Sequence, residues 1–542
     1  MTGSRSGRAG NVRTVAILVG VSIAYYAVGR LRTVGADDRT GVGPPADTHA
    51  HTPSRVTGGQ APALSAWRRG GPTWWVVPPL VLALLGGWLV ARRHGFWFDE
   101  LYTAEVAPLA LRDIVGAAVR GEGTIPYLRD APPSYSTTYY AVAHVWLTLT
   151  GLAAEESGLR FLSLLSSVGA LGAFTLAVGR LAGHRVGLVA GLVAATNPFV
   201  VQYSVEARGY GLALLATAVA ALGLTRWLDD RPRSLLLYGG AGAAAGLAHW
   251  FTLLVLGSFA LAALALRGRR ARPVVVVTTA AAVPALGMIA LAVGNGVGSS
   301  GAEWISGVGG AVPRLLIETW AGHRLPLLVA TLATATAGLV LESKDDGREP
   351  RIVAAIWFGL PLAAVTALEF MRPVFVARYL LPATLGLAVL MALGITRLPR
   401  VASVVSLVVV LAASVWASAA VVRRGPREDV RGAVAAVAGG HTPGQPVVAA
   451  ARWDALGVDH YARRDHAGLV RDLVLPPAGV PPSSAVWVVG RAGEGVKGDA
   501  AKRTALDTDL RARGMHVTLE RRFEGRSADV VIQRWDLAAP GR

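Results

Sequence analysis

The sequence predicts an α-helical polytopic membrane protein of about 11 to 12 transmembrane helices, followed by a small extracytoplasmic α/β domain. Three observations predict it. First, 53% of the 542 residues are hydrophobic and 16% charged, with a mean hydropathy of +0.45, whereas soluble domains run at roughly 45–50% and 25%. Second, the apolar residues arrive in blocks of roughly 17 to 23, the length that crosses ~30 Å of hydrocarbon at 1.5 Å per residue. Third, short arginine clusters alternate along the chain between these blocks, as cytoplasmic loops do under the positive-inside rule.

In chain order, residues 1–72 form an N-terminal extension. Thr14 to Gly29 is a short apolar run between Arg13 and Arg30, readable as a twelfth helix, a signal-like segment or an upstream extension. A cleaved signal fits badly, because Arg30 and Arg32 separate the run from any small-residue cleavage site. Residues 33–72, rich in Gly, Pro, Thr and Asp, have the composition of a disordered segment. The membrane domain, 73–422, opens with a span from Thr73 to Ala91, placed inside-to-outside by Arg68 and Arg69. Later spans fall near 159–179, 186–203, 210–227, 235–249, 251–266, 273–294, 325–341, 352–369, 380–396 and 401–422. Arg180 to Arg185, Arg226 to Arg233, Arg267 to Arg272, Arg348 to Arg351 and Arg397 to Arg400 are the cytoplasmic connections.

The stretch Ser134 to Gly151 follows Pro132-Pro133 and contains Tyr139, Tyr140, His144 and Trp146. Were it to cross, every later arginine cluster would move outside, so it reads as an interfacial helix on the outer leaflet. Parity then puts the connections near 99, 206, 249, 300 and 372 outside, with everything after Val422. In 423–542, Pro446 to Ala450, Ser484 to Gly490, Met515 to Arg521 and Ala528 to Trp535 are strand-like. Helical stretches lie near Trp453 to Arg463 and Ala500 to Arg513, so this region reads as an α/β domain rather than an irregular tail.

Charge and cysteine content narrow the function. The formal charge is +18 with only three lysines, Lys344, Lys497 and Lys502, but the arginines sit between apolar blocks and make no aromatic-studded basic face, which argues against nucleic acid as a partner. The lipid bilayer is the partner that the pattern fits. With no cysteine, disulfides, thiol catalysis and thiolate metal sites are excluded.

Four places at the outer ends of the spans carry chemistry. Phe96-Trp97-Phe98-Asp99-Glu100 opens the first outer loop with two carboxylates among aromatics, where an idle charge is costly; a solvated acid pair is the plain alternative. Glu206 and Arg208 interrupt the apolar run Gln202-Tyr203-Ser204-Val205-Glu206-Ala207-Arg208-Gly209-Tyr210. On an extended backbone they address one pocket; as an internal salt bridge or a snorkelling arginine they are structural. His249 closes its span either as a phosphate or metal ligand or as a structural hydrogen bonder. Arg378-Tyr379, in Ala377-Arg378-Tyr379-Leu380-Leu381-Pro382, meets the first turn of a helix that starts outside.

By parity all four lie at one face. That face offers an acid able to take a hydroxyl proton, arginines able to fork onto phosphate oxygens and a membrane boundary that admits a lipid tail. Sugar transfer from a polyprenyl phosphate needs those three things. A glycosidase instead needs two carboxyls about 5 to 9.5 Å apart across the bond, which adjacent Asp99 and Glu100 do not supply.

The ordered set Phe98-Asp99-Glu100, Asp130-Ala131-Pro132-Pro133, Gln202 to Tyr210 and Ala377 to Pro382 resembles the bacterial GT-C glycosyltransferases. More narrowly it is similar to the family 39 group, which includes protein O-mannosyltransferases and aminoarabinose lipid A transferases. The resemblance covers about residues 73–400. It implies a GT-C-like fold, Asp99 as the catalytic acidic residue with Glu100 supporting it, and phosphate or sugar contacts by Glu206, Arg208, His249, Arg378 and Tyr379. It further implies a polyprenyl-phosphate donor of mannose or a pentose, and an envelope glycan, lipid or protein acceptor at the outer face of the plasma membrane. Ser134 departs from the bulky aliphatic usual after Pro132-Pro133, so that segment does not report the acceptor. Asp99, Glu100 and Glu206 can offer oxygen ligands to Mg²⁺ or Mn²⁺, or work without a cation. The rival class, a transporter or lipid-linked sugar flippase, calls for mid-helix ionisable residues and internal repeats; neither stands out.

Overall fold

The computed structural model describes residues 73–92, 94–296, 305–342, 348–423, 425–492 and 497–538; the reading of the extension, with its apolar run at 14–29, lies outside them. The described chain is mostly helical with one small sheet near its C-terminus. Among the described residues seven apolar helical runs are long enough to cross a membrane, with Thr252–Gly294 taken as one, or up to nine when two bent pairs are each taken as one span. The observed helices follow the expected spans closely, as in Glu156–Ala182, Tyr210–Leu228, Glu349–Glu369, Leu381–Arg397 and Arg400–Arg423.

Three departures have local causes. The expected span 186–203 is two helices, His184–Thr196 and Pro198–Ser204, bent by 67°. Pro198 lacks an N–H, and the Asn197 side chain caps the second helix by accepting from Phe199 N at 2.9 Å and Val200 N at 3.3 Å. The span Leu325–Val340 is preceded by an unforeseen helix ending at Trp320, turned by 109°. The first loop, read as irregular apart from its interfacial stretch, holds the helices Phe98–Val106 and Leu111–Arg120 ahead of Thr137–Thr150. Leu111–Arg120 buries Ile114, Ala117 and Ala118 and exposes Leu111, Val115 and Val119, a spacing that only a helix brings onto one face.

Leu381–Arg397 is the central helix, with 89% of the Ala377–Arg397 window buried. Small residues let it be central: a Cβ on Gly394 would lie 1.9 Å from the Thr334 carbonyl oxygen of the neighbouring helix Leu325–Val340. Its head presents Arg378 and Tyr379 at one end of the bundle.

Contacts sort the two ends. At one end Arg180 pairs with Asp229 at 2.6 Å, Arg267 with Glu349 at 2.5 Å, and Arg351 and Arg397 both donate to the Leu341 carbonyl. The arginine clusters that alternate in sequence therefore gather in space. The long apolar run Thr252–Gly294 reverses there: Arg267 donates to the Leu228 carbonyl at the arginine end, while Asn295 donates at 3.0 Å to the Val119 carbonyl of the first loop, at the opposite end.

Beyond Arg423 come the helix Val430–Gly440 and a five-stranded mixed sheet, β1 (Val447–Ala449), β2 (Leu473–Val474), β3 (Ala485–Ala492), β4 (Met515–Phe523) and β5 (Asp529–Leu537), in the order β2-β1-β3-β5-β4. β1 runs parallel to β2 and β3, and β5 is antiparallel to β3 and β4. Two-residue β2 was too short to read from sequence. The unit is seated on the first loop through one shared core, in which Phe96, Leu101, Ile114 and Tyr139 pack with Val434, Tyr461, Trp487 and Ile532. Polar contacts frame that core: the Phe96 N–H donates to Tyr461 Oη at 2.6 Å, and Arg464 pairs with Glu156 at 2.6 Å.

The absence of native cysteine makes the sidedness directly measurable with single cysteines and a membrane-impermeant maleimide on intact spheroplasts. Asp113→Cys, in the first loop, is expected to label from outside, and Arg269→Cys, at the arginine end, only after permeabilisation. Labelling of both from outside would overturn the positive-inside assignment.

Candidate functional site

The site is built around the helix Phe98–Val106, which places Asp99 and Glu100 in its first turn rather than in an open loop. Glu100 turns inward. It is 2% exposed and bonds Arg160 twice, Nε to Oε1 at 2.9 Å and Nη2 to Oε2 at 2.6 Å. Oε1 also accepts the Ala207 N–H at 3.0 Å, and three residues on, Thr103 Oγ1 donates to the Ala207 carbonyl at 2.9 Å. One helix face thus grips both backbone groups of Ala207. Asp99 lies roughly 100° round the helix from Glu100, and its side chain is 19% exposed, with Oδ2 3.7 Å from Arg378 Nη2.

The segment 205–208 is a tight turn, with the Arg208 N–H 2.6 Å from the Glu206 carbonyl oxygen. The expected extended backbone, sending Glu206 and Arg208 into one pocket, is not found: the turn sends them to different partners. Arg208 is buried, donates from Nη1 to Tyr140 Oη at 2.7 Å and, more weakly, to the Asp99 carbonyl at 3.5 Å. Among the described residues no carboxylate lies within ion-pair distance of it. Glu206 instead faces Arg427, with Nη2 2.9 Å from Oε2. Burial pushes the Glu206 carboxyl up to about 7, opposed by the Arg427 guanidinium.

Arg378 donates from Nε to Tyr210 Oη at 2.8 Å and lies 5.6 Å from the Trp97 ring centroid. His249 is brought beside Tyr210 by the close approach of Gly209 to the Ala248 carbonyl, from which a Cβ would be only 2.8 Å away. Its ring sits within an aromatic group of Tyr135, Tyr210, Phe251 and Tyr379, and Nε2 shares a 2.7 Å hydrogen bond with Tyr135 Oη.

The structure therefore gathers Asp99, Arg208, Arg378, Tyr379 and His249 at one end of the bundle, with Glu206 one turn away and Glu100 beneath them as an anchor. Sequence reasoning missed Arg160, Arg427, Glu428 and the hydroxyls of Tyr135, Tyr140 and Tyr210. Arg160 had a signal, a charge at the head of an apolar span; Arg427-Glu428 had none, since they read as an ordinary polar boundary. As a divalent-cation site the carboxylates do not fit: Asp99, Glu100 and Glu206 each turn to a different arginine, and among the described residues no three His, Asp or Glu side chains come together.

The membrane-spanning bundle, the helical first-loop elements and the small C-terminal sheet seated on them make up the GT-C-like fold that the sequence predicts. The chain aligns with ArnT from Cupriavidus metallidurans in the apo state, with TM-score 0.51 and 17% identity, covering 85% of this chain and 98% of that one. The same protein bound to undecaprenyl phosphate aligns with TM-score 0.50 and 16% identity, over 85% and 98% of the two chains. No protein-family model matches the sequence, and no curated protein matches it.

Arg160→Met strands the Glu100 charge in the interior, a break that typically costs about 3–5 kcal/mol. Denaturant unfolding in detergent should show that loss, and the double variant Glu100→Gln/Arg160→Met should recover much of it. Equal losses in single and double variants would show that the pair is not energetically coupled.

Proposed function

We propose that this chain is a membrane glycosyltransferase that moves a sugar from a polyprenyl-phosphate donor to an acceptor hydroxyl at the extracytoplasmic face of the plasma membrane. The observation that carries the reading is the juxtaposition, at one end of a GT-C-like bundle, of the part-exposed Asp99 side chain with two arginines, Arg378 at 3.7 Å and Arg208, whose guanidinium lies 3.5 Å from the Asp99 carbonyl oxygen. The undecaprenyl phosphate bound by the ArnT neighbour is a ligand of the class proposed. The sugar is mannose or a pentose, and the acceptor an envelope glycan, lipid or protein.

The chemistry follows from the charges. Asp99 takes the proton of the acceptor hydroxyl. The oxygen forms a bond to the anomeric carbon as the bond from that carbon to the phosphate oxygen breaks. The electron pair of the broken bond leaves with the lipid phosphate, where Arg208 and Arg378 stabilise it through fixed guanidinium donors. A phosphate leaves without protonation by a second carboxyl, so Glu100 acts by holding the helix of Asp99. Glu206, His249 and Tyr379 line the sugar or phosphate path in this reading.

Asp99→Asn keeps size and most hydrogen bonding while removing the base, and loss of a general base typically costs about 10²- to 10⁴-fold in rate. Transfer by the reconstituted variant should fall accordingly with donor binding retained. Asp113→Asn, at a side chain 58% exposed and 3.7 Å from its neighbour Arg112, should leave turnover near the parent's. Near-normal turnover by Asp99→Asn at saturating donor and acceptor would remove Asp99 from the mechanism.

Lysine at position 208 preserves the charge and loses the planar fork. Undecaprenyl phosphate binding by Arg208→Lys, followed by native mass spectrometry, should be weaker than the parent's. Binding as tight as the parent's would make Arg208 a structural anchor of Tyr140.

A further inference from the structure

The helix that carries Asp99 begins without a cap of its own. Its N-cap position is Trp97, whose side chain makes no capping bond; the Glu100 N–H reaches the Trp97 carbonyl at 2.9 Å, but the N–H groups ahead of it need acceptors from elsewhere. For Phe98 the acceptor is 330 residues away: its N–H donates to Glu428 Oε2 at 3.1 Å. Glu428 lies on the strap between the last apolar helix, Arg400–Arg423, and Val430–Gly440. It is 4% exposed, and its other oxygen lies 3.4 Å from Arg491 Nη1 on β3. The preceding strap residue, Arg427, stacks its guanidinium 4.3 Å from the Trp97 ring centroid and pairs with Glu206 at 2.9 Å. Trp97 is thereby flanked by Arg427 and Arg378, immediately before Asp99.

We infer that Glu428 and Arg427 are positioning residues for the transfer reaction: the strap caps the Asp99 helix in trans and clamps Trp97, so that Asp99 faces Arg378 only when the C-terminal α/β unit is seated. The inference rests on Asp99 being the base. A carboxylate at a helix N-terminus satisfies the orphan donor and complements the helix dipole, but here it arrives from another part of the chain, so the geometry of that first turn depends on the seating. The same seating is held at Phe96 by Tyr461, at Glu105 by His460 and Arg463, and by Trp453, whose ring meets Phe98 edge-on at 5.2 Å. In this arrangement the sheet domain contributes to catalysis without touching the reacting atoms.

Glu428→Gln and Glu428→Ala separate this role from simple domain attachment. Glutamine keeps a carbonyl oxygen for the Phe98 N–H and gives up the charge toward Arg491, whereas alanine removes the cap. Misplacement of a reacting group by about 1 Å can cost 10²-fold, so Glu428→Ala should lose kcat on that order with donor KM little changed, and Glu428→Gln should restore most of it. Both are measured on the full-length protein in lipid, with melting temperatures recorded alongside. Should the alanine variant not accumulate, Glu428→Asp, which withdraws the carboxylate by one methylene, makes the same comparison. Parent-like kcat in Glu428→Ala, while Asp99→Asn is inactive, overturns the inference and leaves the function standing. A loss in Glu428→Gln as deep as in Glu428→Ala also overturns it, by assigning Glu428 to Arg491 alone. An active Asp99→Asn overturns the functional reading itself.

Discussion

The buried pair between Glu100 and Arg160 is the constraint from which the rest of the site follows. Two charges removed from water repay their desolvation only when geometry and extra hydrogen bonds are good, and here both conditions hold. Arg160 spends its remaining donors on the carbonyls of His94 and Gly95, and Glu100 adds the Ala207 N–H. The end of the first span, the first-loop helix, the turn at 205–208 and the helix Glu156–Ala182 are locked at one point. Because Glu100 must face inward, its neighbour Asp99 is turned toward Arg378; because Ala207 is gripped at both backbone groups, Arg208 is delivered beside it.

That lock also explains which parts of the architecture were legible in the sequence. The bundle was readable because hydropathy and arginine bias act span by span, and the arginine clusters do meet at one end through Arg180, Arg267, Arg351 and Arg397. Sidedness alone was enough to bring the Asp99, Arg208, His249 and Arg378 segments to a common end. The first-loop helices were not readable, since Phe98–Val106 has nine residues and owes its stability to Glu100 and to the domain above it rather than to propensity. Short helices depend on tertiary partners, and those partners, at 160, 207 and 428, are remote in sequence. The turn at 205–208 escaped for the same reason: Glu206 is drawn to Arg427, a residue 221 positions later.

The C-terminal unit shows the difference between reading an element and reading its job. Its long strands and helices followed from alternation and periodicity, yet nothing local distinguishes Glu428 from a solvated boundary acid. Its significance lies in the absence of a capping side chain at Trp97, and an aromatic residue at an N-cap is a deficit that some other part of the fold must meet.

The charges around the cleft give the last step. Burying a guanidinium is costly unless an anion or strong acceptors accompany it. Arg160 has Glu100, Arg378 leans on Asp99, and Arg427 has Glu206. Arg208 is as buried as these and has a tyrosine hydroxyl and a distant carbonyl. Moving a carboxylate up to Arg208 would stabilise the resting protein, but in the proposed reaction it would also fill the place where the leaving phosphate gathers charge. A positive charge held in a low-dielectric site, with no carboxylate within ion-pair distance among the described residues, is pre-organised for an anion that arrives with the substrate, and its stabilisation grows as that anion develops negative charge. The imbalance at Arg208 therefore suits the proposed group transfer, whose leaving group is anionic, better than hydrolysis by paired carboxyls.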